Sequence, residues 1–299
     1  MMDRLTSMAV FVAAAEQGSL AAAARRFGVS ASMAGKHVAA IELDLSVRLI
    51  HRTTRSLVLT EAGRAYYLRC KRLLEDYDDA RREASDAQEV VKGTLRIAAP
   101  VTFGEMHLSG MIGRFLARHP GLSIDVMLSD RYVDLLAESV DVAIRVGQLR
   151  DSGLIARRLA PCRMIFCASP HFIARHGEPR TIDALRRAPR LAFSDPVSAG
   201  DWSIEAQDGT RHVIDGPVRI RANNMRMLLA AALNGAGITY GPSFVFDEHI
   251  ANGGPMRLMP GVAVPDLAIH AVYPTNRHVP LKLRSFLDHL AHELSRSNL

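Results

Sequence analysis

Two short amphipathic helical patterns meet at Gly28-Val29-Ser30, and a basic hairpin pattern follows them. Ser19 is placed to cap a helix over Leu20–Phe27, where Leu20, Ala23, Ala24 and Phe27 fall at i, i+3, i+4 and i+7 and define one buried face. The alanines are small enough for a second helix to approach closely. Gly28 suits the position just past a helix end, where a positive φ is needed. Ser30 or Ser32 caps the second helix, which runs to about Glu42, and Ala34, Val38, Ile41 and Leu45 continue the apolar stripe. Arg48–Ile50 and Ser56–Leu59 read as two short strands around the tip His51-Arg52-Thr53-Thr54-Arg55. This order predicts a winged helix-turn-helix, a unit that lays its second helix in a DNA groove.

The face of the second helix opposite the stripe offers Ala31, Ser32, Gly35, Lys36 and Ala39. Ser30, Ala31, Ser32, Gly35, Lys36 and His37 are therefore the candidates for contact with bases or nearby phosphates. At the hairpin tip, the guanidinium groups of Arg52 and Arg55 and the hydroxyls of Thr53 and Thr54 suit phosphate and minor-groove contacts. The charge agrees with this placement. Residues 1–72 hold eleven basic and five acidic residues, which is the entire formal net charge of +6, and the rest of the chain balances to zero. A phosphate-binding surface needs its cations gathered in one place, and here they are gathered at one end.

Thr60 is placed to cap a long helix from Glu61 to about Val91. Tyr66, Cys70, Leu73, Tyr77, Ala80, Ala84, Ala87 and Val91 are spaced alternately by four and three, a heptad seam sustained for more than three heptads. Such a seam predicts a partner helix and so a dimer; the other reading is a helix packed on its own C-terminal domain. No apolar run approaches the ~20 residues that a membrane span needs. Met8–Ala15 is apolar, but Leu5, Met8, Val12 and Ala15 recur at helical spacing and predict a packed first helix rather than a signal peptide. Cys70, Cys162 and Cys167 form neither a metal spacing nor a disulfide framework, which points to a reducing cytoplasm.

From Gly93 the pattern changes. Short apolar runs at Leu95–Ala99, Ser123–Leu128, Val142–Val146, Met164–Ala168, Val218–Ala222, Ile238–Tyr240 and Ala268–Tyr273 alternate with helical stretches such as Glu105–Arg118, Tyr132–Glu138 and Asn224–Asn234. Alternation of this kind predicts an α/β architecture with mostly parallel sheets. Ligands in such folds bind beyond the C-terminal strand ends. Those ends carry Thr102 and Phe103, Ser129 and Asp130, Arg145, and Asn223. Arg145 is open to two readings, a charge-assisted bond to a ligand or an ion pair with Asp130 or Asp141. Phe103 and Phe193 are candidates for an aromatic ring contact or for the core. Trp202 and Asp208-Gly209 suggest a hairpin.

Nothing in the sequence assembles a catalytic set. Ser243 lacks the G-x-S-x-G context of a nucleophile elbow, and Gly235-Ala236-Gly237 lacks the third glycine of a dinucleotide fingerprint. His289 and His292 are an i, i+3 pair without an evident third ligand. The chain is therefore expected to be no enzyme and to need no cofactor or metal.

The N-terminal pattern Phe11…Glu16-x-Gly18-Ser19-Leu20…Ala22-Ala23-Ala24…Val29-Ser30 resembles the LysR-type transcriptional regulators. So do Lys36-His37-Val38…Ile41-Glu42…Arg48-Leu49, Arg52-Thr53-Thr54-Arg55 and Leu59-Thr60-Glu61-Ala62-Gly63. The chain departs from the family's usual residues at Gly35 (usually Ser), Ala31 (usually Pro or Gln) and Ser46 (usually Gly). The resemblance implies a winged helix-turn-helix over 1–60, a linker and dimerisation helix over 61–92, and a two-lobed effector domain like that of periplasmic binding proteins over 93–299. Lobe one would be 93–161 with 267–299, and lobe two 162–266, with crossings near Leu159-Ala160-Pro161 and Val264-Pro265-Asp266. The family implies that Thr102 and Ser129 hold an effector carboxylate, and a small anionic or aromatic effector in the cleft between the lobes is expected. It also implies an interrupted palindrome in duplex DNA, a dimer that assembles further to a tetramer, and RNA polymerase as a partner. No membrane association is expected. The competing reading is a cytosolic small-molecule-binding protein or enzyme with a fused helical arm, which would keep its activity without residues 1–60.

Overall fold

The computed structural model describes residues 3–52, 57–85, 90–147, 149, 152–194, 202–205, 210–259, 267–274 and 279–297. The chain divides into two compact units, Met1–Gly93 and Thr94–Leu299. The first contains α1 (Arg4–Gln17), α2 (Leu20–Arg26), α3 (Ala31–Leu45), the antiparallel strands β1 (Ile50–Arg52) and β2 (Leu57–Leu59), and α4 (Glu61–Ser85). Each short helix begins where a side-chain oxygen satisfies an orphan N–H. Asp3 accepts from Leu5 and Thr6, Ser19 from Ala22, and Ser30 from Met33. Gly28 follows α2 at φ 64°, the left-handed geometry that ends a helix sharply. The cap of α3 is thus Ser30, and Ser32 is left on the open face.

Phe11, Val12, Val38, Ile41, Leu49, Ile50 and Cys70 form the core of this unit, with Tyr66, Tyr67 and Leu74 packed against them. That packing corrects the seam of α4. Tyr66 and Cys70 face their own helix-turn-helix, and the outward apolar positions are Leu68, Leu73 and Tyr77. The Ala84 side chain, Ala87 and the wing tip Thr53, Thr54 and Arg55 lie outside the described residues, as does the side chain of Arg52. Val91 is buried beyond the end of the helix rather than on its seam.

The second unit holds two five-stranded sheets. One has the order β4-β3-β5-β14-β6, from β4 (Leu122–Leu128), β3 (Gly93–Ala99), β5 (Val142–Val146), β14 (Leu267–Pro274) and β6 (Leu154–Cys162). The other has the order β11-β8-β12-β7-β13, from β11 (Val218–Ala222), β8 (Arg190–Phe193), β12 (Ile238–Pro242), β7 (Met164–Ala168) and β13 (Met256–Leu258). Both sheets are mixed, not mostly parallel: β3 runs with β5, and β8 runs with both β11 and β12. By contrast, β14 opposes β5 and β6, and β7 opposes β12 and β13. The antiparallel strands follow from the chain passing between sheets. It leaves the first along β6 and enters the second along β7 with only Arg163 between them.

Helices cover the sheets: α5 (Val101–Phe103), α6 (Ser109–Arg118), α7 (Pro170–His176), α8 (Ile182–Arg187), α9 (Met225–Leu233), α10 (Ser243–Ala251) and α11 (Leu281–Ser295). A π-helical turn, Gly104–Leu108, joins α5 to α6 without a break. β9 (Trp202–Glu205) and β10 (Arg211–Ile214) are antiparallel, as the hairpin expectation required; its turn at Asp208-Gly209 lies outside the described residues. The expected helix over Tyr132–Glu138 is a run of turns instead. Asp134 accepts from the N–H groups of Leu136 and Ala137, a local pairing that competes with helix formation. The second crossing, Val264-Pro265-Asp266, is also outside the described residues.

Candidate DNA-binding and effector sites

The open face of α3 is built by what holds its other face. Ala34 and Val38 are fully buried against α1 and α2, and Ile41 nearly so. Ser30, Ala31, Ser32 and Lys36 are exposed, and Gly35 is half-exposed. The side chain of Ser30 already accepts from Met33, 3.1 Å away. His37 is a correction: it is 8% exposed, on the packed face, with its Nδ1 2.9 Å from Ser7 Oγ. Ser7 donates its own hydroxyl hydrogen to the Asp3 carbonyl, so the imidazole Nδ1–H donates to Ser7. His37 therefore fixes α3 against α1, and its Nδ1 is not offered to a base.

Glu42 belongs to the family-like pattern but had no role assigned to it from the sequence. It is 8% exposed, its Oε1 accepts the N–H groups of Leu49 and Ile50 at 2.9 and 3.1 Å, and Arg48 Nη1 lies 3.2 Å from its Oε2. One carboxylate thus ties the end of α3 to the start of the wing, and β1 begins at Ile50 rather than Arg48. The signal was present as Glu42 inside an otherwise apolar stripe. Thr60 closes the other side: its Oγ1 accepts from Gly63 N at 2.8 Å and its N–H donates to the Leu49 carbonyl at 3.0 Å. A Cβ at Gly63 would overlap that carbonyl oxygen, so α4 begins in direct backbone contact with the wing.

In the second unit, the candidate effector residues separate into distinct roles. Thr102 is 5% exposed and its Oγ1 is buried without a hydrogen-bond partner. An orphaned buried hydroxyl is costly, and a bound ligand or water relieves it. Phe103 is core, 1% exposed, with its ring edge-on to Phe244 of α10 at 6.0 Å. His107 stands perpendicular to the same Phe244 ring at 5.0 Å, and burial holds its pKa below the ordinary value. Glu105 and Arg226 form an ion pair beside this ring cluster. The start of α10 is also held at the inter-sheet crossing, where Ser243 N–H donates to the Arg163 carbonyl at 2.8 Å. Phe103, His107 and Phe244 thus join the segment after the first sheet's β3 to the segment after the second sheet's β12.

Asp130 Oδ1 accepts the N–H of Val101 at 3.0 Å, at the start of the helix that carries Thr102. Burial raises its pKa, the Val101 hydrogen bond opposes that rise, and Glu105 adds to it. Ser129 Oγ accepts from Arg131 N at 3.1 Å. Arg145 does not form the expected ion pair with Asp130 or Asp141 among the described residues. It reaches the carbonyls of Arg131 and Val133 at 3.4 and 3.2 Å and lies over the Tyr132 ring at 4.4 Å. Asp141 accepts instead from Arg96 N at 2.8 Å. Phe193 and Asn223 sit at the C-terminal ends of the parallel neighbours β8 and β11, and Ser194 N–H donates to the Ala222 carbonyl between them. Asn224 caps α9 beside them.

His289 donates from Nε2 to the Met111 carbonyl at 2.8 Å, and Arg118 donates to its Nδ1. Both ring nitrogens are therefore engaged in packing α11 on α6. Cys70, Cys162 and Cys167 are unbridged and buried, and burial pushes the Cys162 and Cys167 thiols up to about 12. No described helix is long and apolar enough to cross a membrane.

Two family models match. The bacterial regulatory helix-turn-helix protein model of the lysR family covers residues 5–64, and the LysR substrate binding domain model covers residues 88–295. The HTH-type transcriptional regulator PtxR of Pseudomonas aeruginosa is 33% identical over 98% of this chain and 93% of its own length. CrgA of Neisseria meningitidis serogroup C is 33% identical over 97% of both chains. The solved structure of CrgA from Neisseria meningitidis, a LysR-type transcriptional regulator, covers 97% of this chain and 99% of its own, with a TM-score of 0.61 at 32% identity. The full-length Vibrio cholerae virulence activator AphB covers 96% of this chain and 98% of its own, with a TM-score of 0.60 at 28% identity.

Proposed function

The chain belongs to the LysR family of transcriptional regulators, with a DNA-binding helix-turn-helix and an effector-binding domain, and from that premise we propose that α3 reads an interrupted palindrome through Ala31, Ser32, Gly35 and Lys36. The observation that carries this reading is the division of α3 into a face locked by Ala34, Val38 and His37 and a face left open around Lys36. Two such helices, one per subunit, would enter successive major grooves. Arg52, Thr53, Thr54 and Arg55 are the wing residues proposed to hold phosphates or the adjacent minor groove. The outward positions Leu68, Leu73 and Tyr77 of α4 support dimerisation through residues 61–92, and pairs of dimers would give a tetramer.

The effector is proposed to bind between the two sheets of the second unit, with Thr102, Phe193 and Asn223 in contact. Phe103, Ser129, Asp130 and Arg145 shape the walls through the hydrogen bonds and ring contacts described above. A bound molecule acts on transcription only by its unequal affinity for two arrangements of the protein, which include contact with RNA polymerase. The site of action is the cytoplasm, where the chromosome lies.

A gel shift with DNA from upstream of the chain's own gene tests the reading. A sequence-specific complex that survives excess nonspecific DNA, and is lost on deletion of residues 1–60, is expected. An equal affinity for unrelated DNA would overturn it.

A further inference from the structure

The first sheet of the effector unit carries a row of basic side chains that no ion pair explains. His270 on β14 lies directly opposite Arg145 on β5 and opposite Arg158 on β6. Directly opposed residues share a face, so the three side chains stand side by side across three strands. Two residues further along each strand, Ala143 and Val272 belong to an apolar cluster on that same face, covered by Val133, Leu135 and Val140. The basic row lies at the other end, toward Cys162 and the crossing into the second sheet.

The three members are not equivalent. Arg145 is held by two loop carbonyls and the Tyr132 ring. The guanidinium of the neighbouring Arg157 is used on the opposite face, 2.8 Å from Asp288 of α11. Arg158 is exposed and makes no ion pair among the described residues. On the strand between those of Arg145 and Arg158, His270 Nδ1 is buried without a hydrogen-bond partner. Burial and then the charge of Arg158 keep that imidazole below its ordinary pKa, against a smaller opposing pull from the Ala268 backbone. A buried ring nitrogen without a partner costs free energy, and a guanidinium directly across the strand pair keeps the imidazole neutral. An oxyanion beside Arg158 and His270 relieves that cost, because it accepts from a planar guanidinium fork and from an imidazole N–H together.

The place implied by family resemblance for an effector carboxylate does not offer the same welcome. Asp130 already occupies the N–H of Val101, Glu105 stands one turn on, and Ser129 is engaged with Arg131. We propose that Arg158 and His270 form a separate oxyanion-binding site at the crossing end of the first sheet, which takes the carboxylate or phosphate group of a small molecule. This site does not depend on contacts with Thr102, so it stands or falls apart from the effector reading above.

The test is a thermal-shift and calorimetric titration of the full chain with sodium phosphate in one arm and sodium benzoate in the other, against sodium chloride at equal ionic strength. One of the two oxyanions is expected to raise the melting temperature in a saturable way, and the arm that responds identifies the group. R158Q should weaken that binding at least tenfold, R158K by less, and R157Q, whose side chain serves the opposite face, not at all. Response in neither arm, or equal binding by wild type and R158Q, overturns the site. An R158Q chain that fails to fold leaves the decision to R158K and H270Q; wild-type affinity in both overturns it as well. Loss of binding in T102V with R158Q unaffected would move the anion to the Thr102 site and reject this one.

Discussion

Glu42 Oε1 lies 2.9 Å from the backbone nitrogen of Leu49, and this contact fixes where the wing leaves the recognition helix. The same oxygen takes Ile50 N–H, so removal of the carboxylate orphans two backbone donors at once. Glu42→Ala should destabilise the first unit by about 2–4 kcal/mol, since hydrogen bonds to charged acceptors are worth about 1.5–3 kcal/mol each and the two share one oxygen. Hydrogen exchange at Leu49 and Ile50 in the full chain reads this directly. Unchanged protection at both amides would contradict it.

Lys36 is exposed on the open face of α3 and is the cation proposed there for DNA contact. Lys36→Ala should weaken operator binding by about 1–3 kcal/mol, roughly ten- to a hundredfold, with no change in melting temperature. If Lys36 meets a phosphate rather than a base edge, the slope of log affinity against log salt falls by about one unit as well. Anisotropy titrations at several salt concentrations separate the two cases.

Ser7 and His37 should behave as one unit. Each single change to alanine breaks the same 2.9 Å hydrogen bond, so the double variant should lose about 1 kcal/mol less than the sum of the singles. DNA affinity at a temperature where all variants are folded should change little. Strict additivity in denaturant melts would show that the bond contributes nothing.

Ser46 ends α3 at φ 54° and ψ 29°, a left-handed conformation that costs a residue with a Cβ about 1 kcal/mol. This is also where the family's usual residue is glycine. Ser46→Gly should stabilise the first unit by about 0.5–1 kcal/mol and raise its melting temperature by a few degrees. A lower melting temperature would mean that the hydroxyl supports the cap.

The effector unit should lose stability in mild acid. Burial lowers the pKa of His107, His270 and His289 from the ordinary 6.5. A histidine held neutral in the fold binds fewer protons than in the unfolded chain, so its contribution is whole above about pH 6.5 and fades as the pH falls through the lowered values. Melting temperature should therefore decline between pH 7.5 and pH 5. His289→Gln should melt lower at pH 7.5 and show a shallower decline; an identical slope would assign the effect elsewhere.

The strands that the sequence made legible are those whose apolar residues are uninterrupted or strictly alternate, whether central or at an edge. Val142–Val146, Met164–Ala168 and Val218–Ala222 fall where their apolar runs lie. β6 was read only as a crossing because Arg157, Arg158 and Pro161 interrupt its apolar pattern. It is the edge strand of its sheet, where proline needs no partner for a missing N–H and charged side chains reach solvent. The heptad seam was half right: periodicity locates an apolar stripe but not its partner, and Tyr66 and Cys70 pack inward. At the DNA face, spacing placed Ser32 and Lys36 outward correctly but assigned His37 to the same side, because a polar residue beside an apolar stripe gives no sign of a buried hydroxyl from another helix. The ion-pair reading of Arg145 failed because its guanidinium is taken by the carbonyls of Arg131 and Val133, and Val133 lies in a segment that the sequence suggested was helical.

The absence of a side chain at Gly63 lets the first turn of α4 rest on the Leu49 carbonyl, so reading head and linker share a backbone joint rather than a flexible tether. If two such heads sit on one duplex as proposed, a rotation at this joint would carry the open face of α3 with it, and the tolerance of binding to an added base pair would measure how stiff the joint is.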